Sequence, residues 1–288
     1  MQTRWRAAPL LPLIFLFSAF TLSAPVAAQN APSSKDYTPS VGQEGKDVIW
    51  VPTPQSLVDR MLQMAGTKPT DFVVDLGAGD GRTVITAAKK FGAKALGVEY
   101  NPDMVELAKR NAEKEGIAGR AQFIRADIFQ TDFSQATVLT LYLLPSLNLK
   151  LRPTILNMKP GTRVVSHAFT MDDWQPDQVD SSDGRTAYMW IVPAKVAGTW
   201  RIEIAGGPRY DATFLQEFQN INGSAKADVK PVQFYNGKMR GETITFVVDD
   251  GAAKREFTGR VSGGKIEGTA KGAGSDAKWT ATRIGDAH

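Results

Sequence analysis

The chain has 288 residues, of which 42% are hydrophobic and 22% charged, with a formal net charge of +4. It has no cysteine, which excludes disulfides and thiol chemistry, and no His or carboxylate cluster has metal-ligand spacing, so no metal is expected. Removing an N-terminal leader of 28 residues takes away Arg4 and Arg6 and no acid, leaving +2, too mild for a nucleic-acid-binding footprint.

That leader comes first. Arg4 and Arg6 form a positive start, Leu10 to Leu22 is apolar, and Val26-Ala27-Ala28 reads as a small-residue cleavage site before Gln29. Residues 1–28 are therefore expected to be a secretory signal and the mature chain periplasmic or otherwise exported; an uncleaved inner-membrane anchor is the alternative. Residues 29–46 are rich in Ser, Pro, Gln and Gly and read as a flexible linker. Order is expected from Val48-Ile49-Trp50-Val51, with Thr53 as the cap of a helix starting at Pro54. Leu57, Val58, Met61, Leu62 and Ala65 then come at helical spacing.

The informative stretch is Phe72 to Gly81. An unbroken apolar run predicts a strand buried on both faces. It breaks into Gly77, Gly79 and Gly81, and from Arg82 a helical pattern runs to Gly92. Strand, glycine turn and helix form the first half of a nucleotide-binding α/β unit. The spacing is neither the dinucleotide fingerprint nor a P-loop. Asp75 and Asp80 sit where a pyrophosphate would need neutral or positive donors, so a ligand without phosphate and with positive charge fits better. S-adenosylmethionine (SAM) has a ribose, an adenine, a sulfonium and an ammonium. Glu99 ends the next apolar run at the distance where an acid can accept from both ribose hydroxyls, and Asp127 ends a third and is placed for the adenine amino group. Tyr100 and Ile128, the residues after these two acids, complete the candidate cofactor contacts.

Further along, Asn101 should cap a helix starting at Pro102, and Ala136 to Tyr142 should form a fourth strand. Pro153 to Met158 reads as a short helix, Arg163 to His167 as a fifth strand and Arg185 to Val192 as a sixth. Trp200 to Ala205 fits either this sheet or the start of the next domain. From Val196 the texture changes to short alternating runs between Gly-rich turns, expected to be about eight antiparallel strands in a small meander barrel. Asn236-Gly237 and Gly263-Gly264 both read as two-residue hairpin turns. The fold class is thus α/β, a Rossmann-like core over residues 47–195 followed by an all-β domain over 196–288. The barrel is either a packing or partner-docking appendage or a pocket for a small molecule, a lipid or a docked substrate.

Asp75-Leu76-Gly77-Ala78-Gly79-Asp80-Gly81, the Glu99 strand end and Ala126-Asp127-Ile128-Phe129 resemble class I SAM-dependent methyltransferases. Trp50-Val51-Pro52-Thr53-Pro54 and the Asp80-Gly81-Arg82 sequence narrow the resemblance to the protein-lysine methyltransferase group of the ATP synthase c-subunit and adenine nucleotide translocase enzymes. It covers about Asp47 to Ala194 and implies SAM as co-substrate and a protein partner. Many class I enzymes acting on nucleic acid or amide nitrogen carry an Asn/Asp-Pro-Pro-aromatic motif after the fourth strand. Tyr142-Leu143-Leu144-Pro145 stands there instead, which argues against a nucleic-acid partner. The candidate catalytic residues are Tyr142, His167 and Thr53, near the C-terminal strand edge, where they would orient a deprotonated amine. The alternative is a non-catalytic SAM- or nucleotide-binding platform that carries the barrel.

Overall fold

The computed structural model describes residues 37–272, 274 and 276–286. The expected signal segment, and residues 29–36 of the expected linker, lie outside the described residues.

Phe72–Leu76 (β1) forms the centre of a seven-stranded sheet, and Val73, Val74 and Leu76 are fully buried. Its neighbours are Lys94–Glu99 (β2) and Val138–Leu141 (β4), both parallel to it; Ala121–Arg125 (β3) lies beyond β2 and Arg163–His167 (β5) beyond β4. The order is β3-β2-β1-β4-β5-β7-β6, in which Arg185–Ile191 (β7) inserts antiparallel beside β5 and Gln178–Ser182 (β6) forms the edge. The order reverses at β1, which opens a crevice at the carboxyl ends of the strands. Helices Gln55–Met64 (α1), Arg82–Phe91 (α2), Pro102–Lys114 (α3) and Pro145–Ile155 (α4) complete this part. Gly92 ends α2 in the left-handed conformation, and Asn101 Oδ1 accepts from the amides of Asp103 and Met104 to cap α3.

Several expectations change. Thr53 does not cap α1: Pro54 is at the cap, and the Thr53 hydroxyl turns to His167. The fourth helix starts at Pro145, eight residues before the expected start, because a proline at the first helical position loses no hydrogen bond; Pro153 falls in its last turns. Strand β6 has too little apolar content to be read from its sequence, since it is an edge strand paired only with β7. Its one signal was the Asp183-Gly184 hairpin turn, both residues at positive φ. Residues 42–50 of the stretch before the core form a tight bridged turn, with Gly42 N donating to Trp50 O and Trp50 N to Gln43 O, so Gly42 to Lys46 is pinned to the core.

Strands Gly198–Ile204 (β8), Arg209–Glu217 (β9), Asn220–Ala227 (β10), Lys230–Arg240 (β11), Thr243–Asp249 (β12), Lys254–Ser262 (β13), Lys265–Lys271 (β14) and Ala277–Gly285 (β15) form a closed barrel. Each pairs antiparallel with its chain neighbours and β15 closes on β8, so Trp200 to Ile204 belongs to the barrel. Gly263-Gly264 is a hairpin turn as expected. Asn236-Gly237 is not: it lies inside β11 at a bulge, where a Cβ on Gly237 would collide with the Ile221 carbonyl. Side chains fill the barrel interior. Phe246 stacks on Phe257 at 4.6 Å, Trp279 meets both edge-on at 5.5 and 5.2 Å, and Trp200, Tyr210 and Phe214 are buried around them.

This self-contained aromatic core predicts that residues 196–288, which hold all eight strands, fold alone. Far-ultraviolet circular dichroism of that fragment should show a cooperative β-type thermal transition. A fragment without one would make the barrel dependent on the surface of the sheet domain.

Candidate active site

The crevice at the strand ends is a cavity of about 630 Å³, within the range of roughly 300–1,000 Å³ typical of small-molecule sites. Its floor is the glycine turn. Gly77, Gly79 and Gly81 have φ of 81°, 55° and 84°, where a side chain is strained. Contact adds a second constraint: a Cβ on Gly79 would lie 2.7 Å from Trp50 Nε1, and one on Gly81 2.7 Å from the Phe123 ring.

Glu99, at the end of β2, is half-buried and held at both oxygens. Oε2 accepts from the Gly79 amide (3.0 Å) and Oε1 from the Asn101 amide (2.9 Å). Its remaining lone pairs are available to a diol. Asp127 accepts from the Phe129 amide (2.9 Å), which holds its carboxyl below the usual range, and pairs with Lys46 Nζ at 3.1 Å. Lys46 also lies over Tyr100 at 5.4 Å, while Ile128 is buried in the cavity wall. Asp80 is engaged by Arg82 through both oxygens (3.0 and 2.6 Å), and Arg82 Nη1 donates to Thr53 O (2.8 Å), tying the glycine turn to the segment before α1. Asp75 is buried and accepts from Thr140 Oγ1 at 2.6 Å. Burial, with Glu99 and Asp80 nearby, pushes its carboxyl up to about 7.

At the other end of the cavity, Tyr142 and Thr53 form wall while His167 lies behind them. The His167 ring stacks under Tyr142 at 3.8 Å and shares a 3.1 Å hydrogen bond with Thr53 Oγ1 through Nδ1. Burial and the charge of Arg185 lower its pKa to about 4, so it is neutral at pH 7. Phe169, stacked on Tyr142 at 6.2 Å, extends the same wall with Leu144 and Leu147. The sequence reading thus located the strand-end acids and missed Lys46, Phe169 and the link made by Arg82. Lys46 sat in a stretch read as linker, Phe169 had only its place two residues past a strand to mark it, and Arg82 was noted only as the start of a helix and as part of a resemblance. Among the described residues there is no group of three or more His, Asp and Glu placed to hold a metal ion.

The donor set fits a cationic nucleoside. Asp75, Asp80, Glu99 and Asp127 face or flank the cavity. Lys46 and Arg82, the cations that line it among the described residues, are each bonded to one of these acids and so are engaged rather than open to a phosphate. A sheet of this order with a glycine turn after its central strand and an acid at the end of the second defines a class I SAM-dependent methyltransferase, and SAM is its methyl donor. A family model described as the ANTKMT methyltransferase domain matches residues 75–178. A protein-lysine N-methyltransferase of Saccharolobus islandicus is 44% identical over 151 residues, which are 50% of this chain and 94% of that one. The ATP synthase C-subunit lysine N-methyltransferase of Homo sapiens is 33% identical over 131 residues, 45% of this chain and 55% of the relative, so the chain spans about half of that enzyme. The crystal structure of an RNA methyltransferase from Salinibacter ruber in complex with S-adenosyl-L-homocysteine shares 49% identity, with a TM-score of 0.50 over 51% of this chain and 96% of that chain. The chain belongs to the family of these protein-lysine N-methyltransferases, and the barrel follows the region the family model matches.

Glu99→Ala should weaken SAM binding by about 2–4 kcal/mol, since charge-assisted bonds to the ribose and the support of the glycine turn are both lost. Calorimetric titration checks this; equal affinity in both proteins would remove Glu99 from the site. The sign of a second effect comes from Asp75. In the free protein its proton stays on up to a pH of about 7. A sulfonium and an ammonium brought into the cavity favour the anion, so binding releases a proton below that pH. SAM affinity should fall as pH drops from 7 toward 5, level off above 7, and lose this slope in Asp75→Asn.

Proposed function

We propose that this chain is an exported protein-lysine methyltransferase. The observation that carries the acceptor class is the match to the Saccharolobus islandicus protein-lysine enzyme along 94% of its length. The acceptor end of the cavity supports it. Tyr142, Leu144, Leu147 and Phe169 make a wall without charge, and the imidazole behind it is neutral. An ammonium entering such a wall loses its hydration, which favours release of its proton to water and leaves the free amine. The aliphatic stem of lysine packs on the aromatic rings, and the hydroxyls of Tyr142 and Thr53 orient the nitrogen.

SAM supplies a methyl group on a sulfur that is already a good leaving group. The amine nitrogen forms a bond to the methyl carbon while the carbon–sulfur bond breaks, and the electron pair remains on sulfur as a neutral thioether. The protein's part is positioning. Glu99 and the glycine turn fix the donor, Thr53 and Tyr142 fix the acceptor, and Arg82 joins the two sides. His167 acts as a positioning residue through its bond to Thr53 and its stack on Tyr142.

A second reading comes from the Salinibacter ruber structure, whose described activity is on RNA. The missing Asn/Asp-Pro-Pro-aromatic motif and the mature charge of +2 weigh against it. Export rests on Arg4, Arg6, the apolar run from Leu10 to Leu22 and the Val26-Ala27-Ala28 site. One experiment addresses both points. Protein isolated from fractionated cells is incubated with labelled SAM, envelope extract and total RNA, and the products are digested with protease or ribonuclease. Label in methyl-lysine is expected, on an enzyme whose first residue is Gln29. Label confined to RNA, lipid or small molecules overturns the lysine reading, and a cytoplasmic protein still carrying Arg4 and Arg6 overturns export.

A further inference from the structure

The loop 168–176, which comes after β5, carries Phe169 to its place against Tyr142. Two of its residues, Ala168 and Asp172, have φ of 63° and 58°, a conformation that side chains adopt only where surroundings enforce it. The sheet domain supplies part of that support. Asn148 Nδ2 donates to Phe169 O (3.4 Å) and Thr170 O (3.3 Å), Arg152 Nη1 donates to Met171 O (2.8 Å), and Trp190 Nε1 donates to Trp174 O (2.7 Å).

The barrel supplies the rest, through the turn between β9 and β10. Phe218 lies nearly parallel to the buried Trp174, with ring centres 6.0 Å apart and planes 14° apart, and the Arg152 guanidinium sits 5.3 Å from the Phe218 ring. Gln219 Nε2 donates to Gln175 O at 2.8 Å. Phe218 therefore packs on the core of the sheet domain although its backbone belongs to the barrel. Its own φ is 51°, a strained value for a bulky residue, and Gln216 holds it there. The Gln216 amide donates to Phe218 O (2.8 Å) and Ala194 O (2.9 Å), and its carbonyl accepts from Val196 N (2.7 Å). The strained residue is the one that leaves its own domain to touch the loop.

We propose that the β9–β10 turn of the barrel is a positioning element for methyl transfer: Phe218 and Gln219 hold loop 168–176, and through it hold Phe169 against Tyr142. This rests on the reading of Tyr142 and Phe169 as the acceptor wall and gives the barrel a part in the reaction. Phe218 and Gln219 touch Trp174, Arg152 and Gln175, none of which lines the cofactor cavity, so the effect falls on the acceptor side alone.

The test uses the full chain as wild type, Phe218→Ala, Phe218→Tyr and Gln219→Ala, with poly-L-lysine as the acceptor probe. In Phe218→Ala, amides of residues 168–176 should exchange with deuterium roughly tenfold faster or more, while those of 254–271 are unchanged. SAM affinity should stay within about twofold, while kcat with poly-L-lysine falls roughly ten- to a hundredfold, as for a misplaced acceptor wall. Phe218→Tyr keeps the ring and should restore both readouts. Gln219→Ala removes one bond and should loosen the same loop to a smaller extent; it decides the matter if Phe218→Ala also loosens 254–271. Unchanged exchange in 168–176, a loss of SAM affinity equal to the loss of kcat, or loosening of the loop with kcat unchanged would each overturn the proposal. If the wild type leaves poly-L-lysine unmethylated, the labelled envelope fraction replaces it as the acceptor probe with the same expected outcomes, and the exchange arm decides independently whether the barrel holds the loop.

Discussion

The Glu99 carboxylate is the joint on which the cofactor side depends. By accepting from the amides of Gly79 and Asn101 it fastens the end of β2 to the glycine turn on one side and to the start of α3 on the other. Three chain segments then share one anion. The turn takes its left-handed conformations because glycine has no Cβ, and Trp50 and Phe123 occupy the space that a Cβ on Gly79 or Gly81 would need. An alanine in place of Glu99 would leave the Gly79 and Asn101 amides without this acceptor.

Charge is distributed in this site by pairing. Asp80 is matched by Arg82 and Asp127 by Lys46, a residue from a distant segment. Burial instead pushes the Asp75 carboxyl up to about 7, and Glu99 is solvated by backbone amides. For Asp75, the one buried acid of the four, the raised pKa avoids an unpaired buried charge. The other end of the cavity follows the opposite rule: its wall is aromatic and aliphatic, and His167 behind it is neutral. On the proposed reading, a cationic donor and an amine acceptor would meet where the environment changes from anionic to apolar.

The barrel is organised around an aromatic core and the sheet domain around mainly aliphatic ones, and an aromatic contact joins them. Trp174 and Trp190 belong to the sheet domain, while Phe246, Phe257 and Trp279 fill the barrel. Phe218 crosses between them. Because the barrel is closed by the pairing of β15 with β8, it presents no free strand edge, and its contact with the sheet domain falls to turns and side chains. One such turn reaches the loop that carries Phe169.

What the sequence by itself determined was the local and periodic part. The buried strand Phe72–Leu76, the glycine turn, the Asn101 cap, the strand-end acids and the eight-strand barrel were all legible, because short-range periodicity and turn chemistry act within a few residues. Edge strand β6 was missed because an exposed strand carries little apolar signal. Asn236-Gly237 was misread because the same dipeptide serves a hairpin turn or a bulge, and only the partner strand decides which. Thr53 was misassigned because its competing partner, His167, is 114 residues away in the chain and adjacent in space. The same holds for the Lys46–Asp127 pair, the Arg82–Thr53 bond and the Phe218–Trp174 stack: each joins segments far apart in sequence, and no local pattern encodes a contact that exists only once both segments are folded.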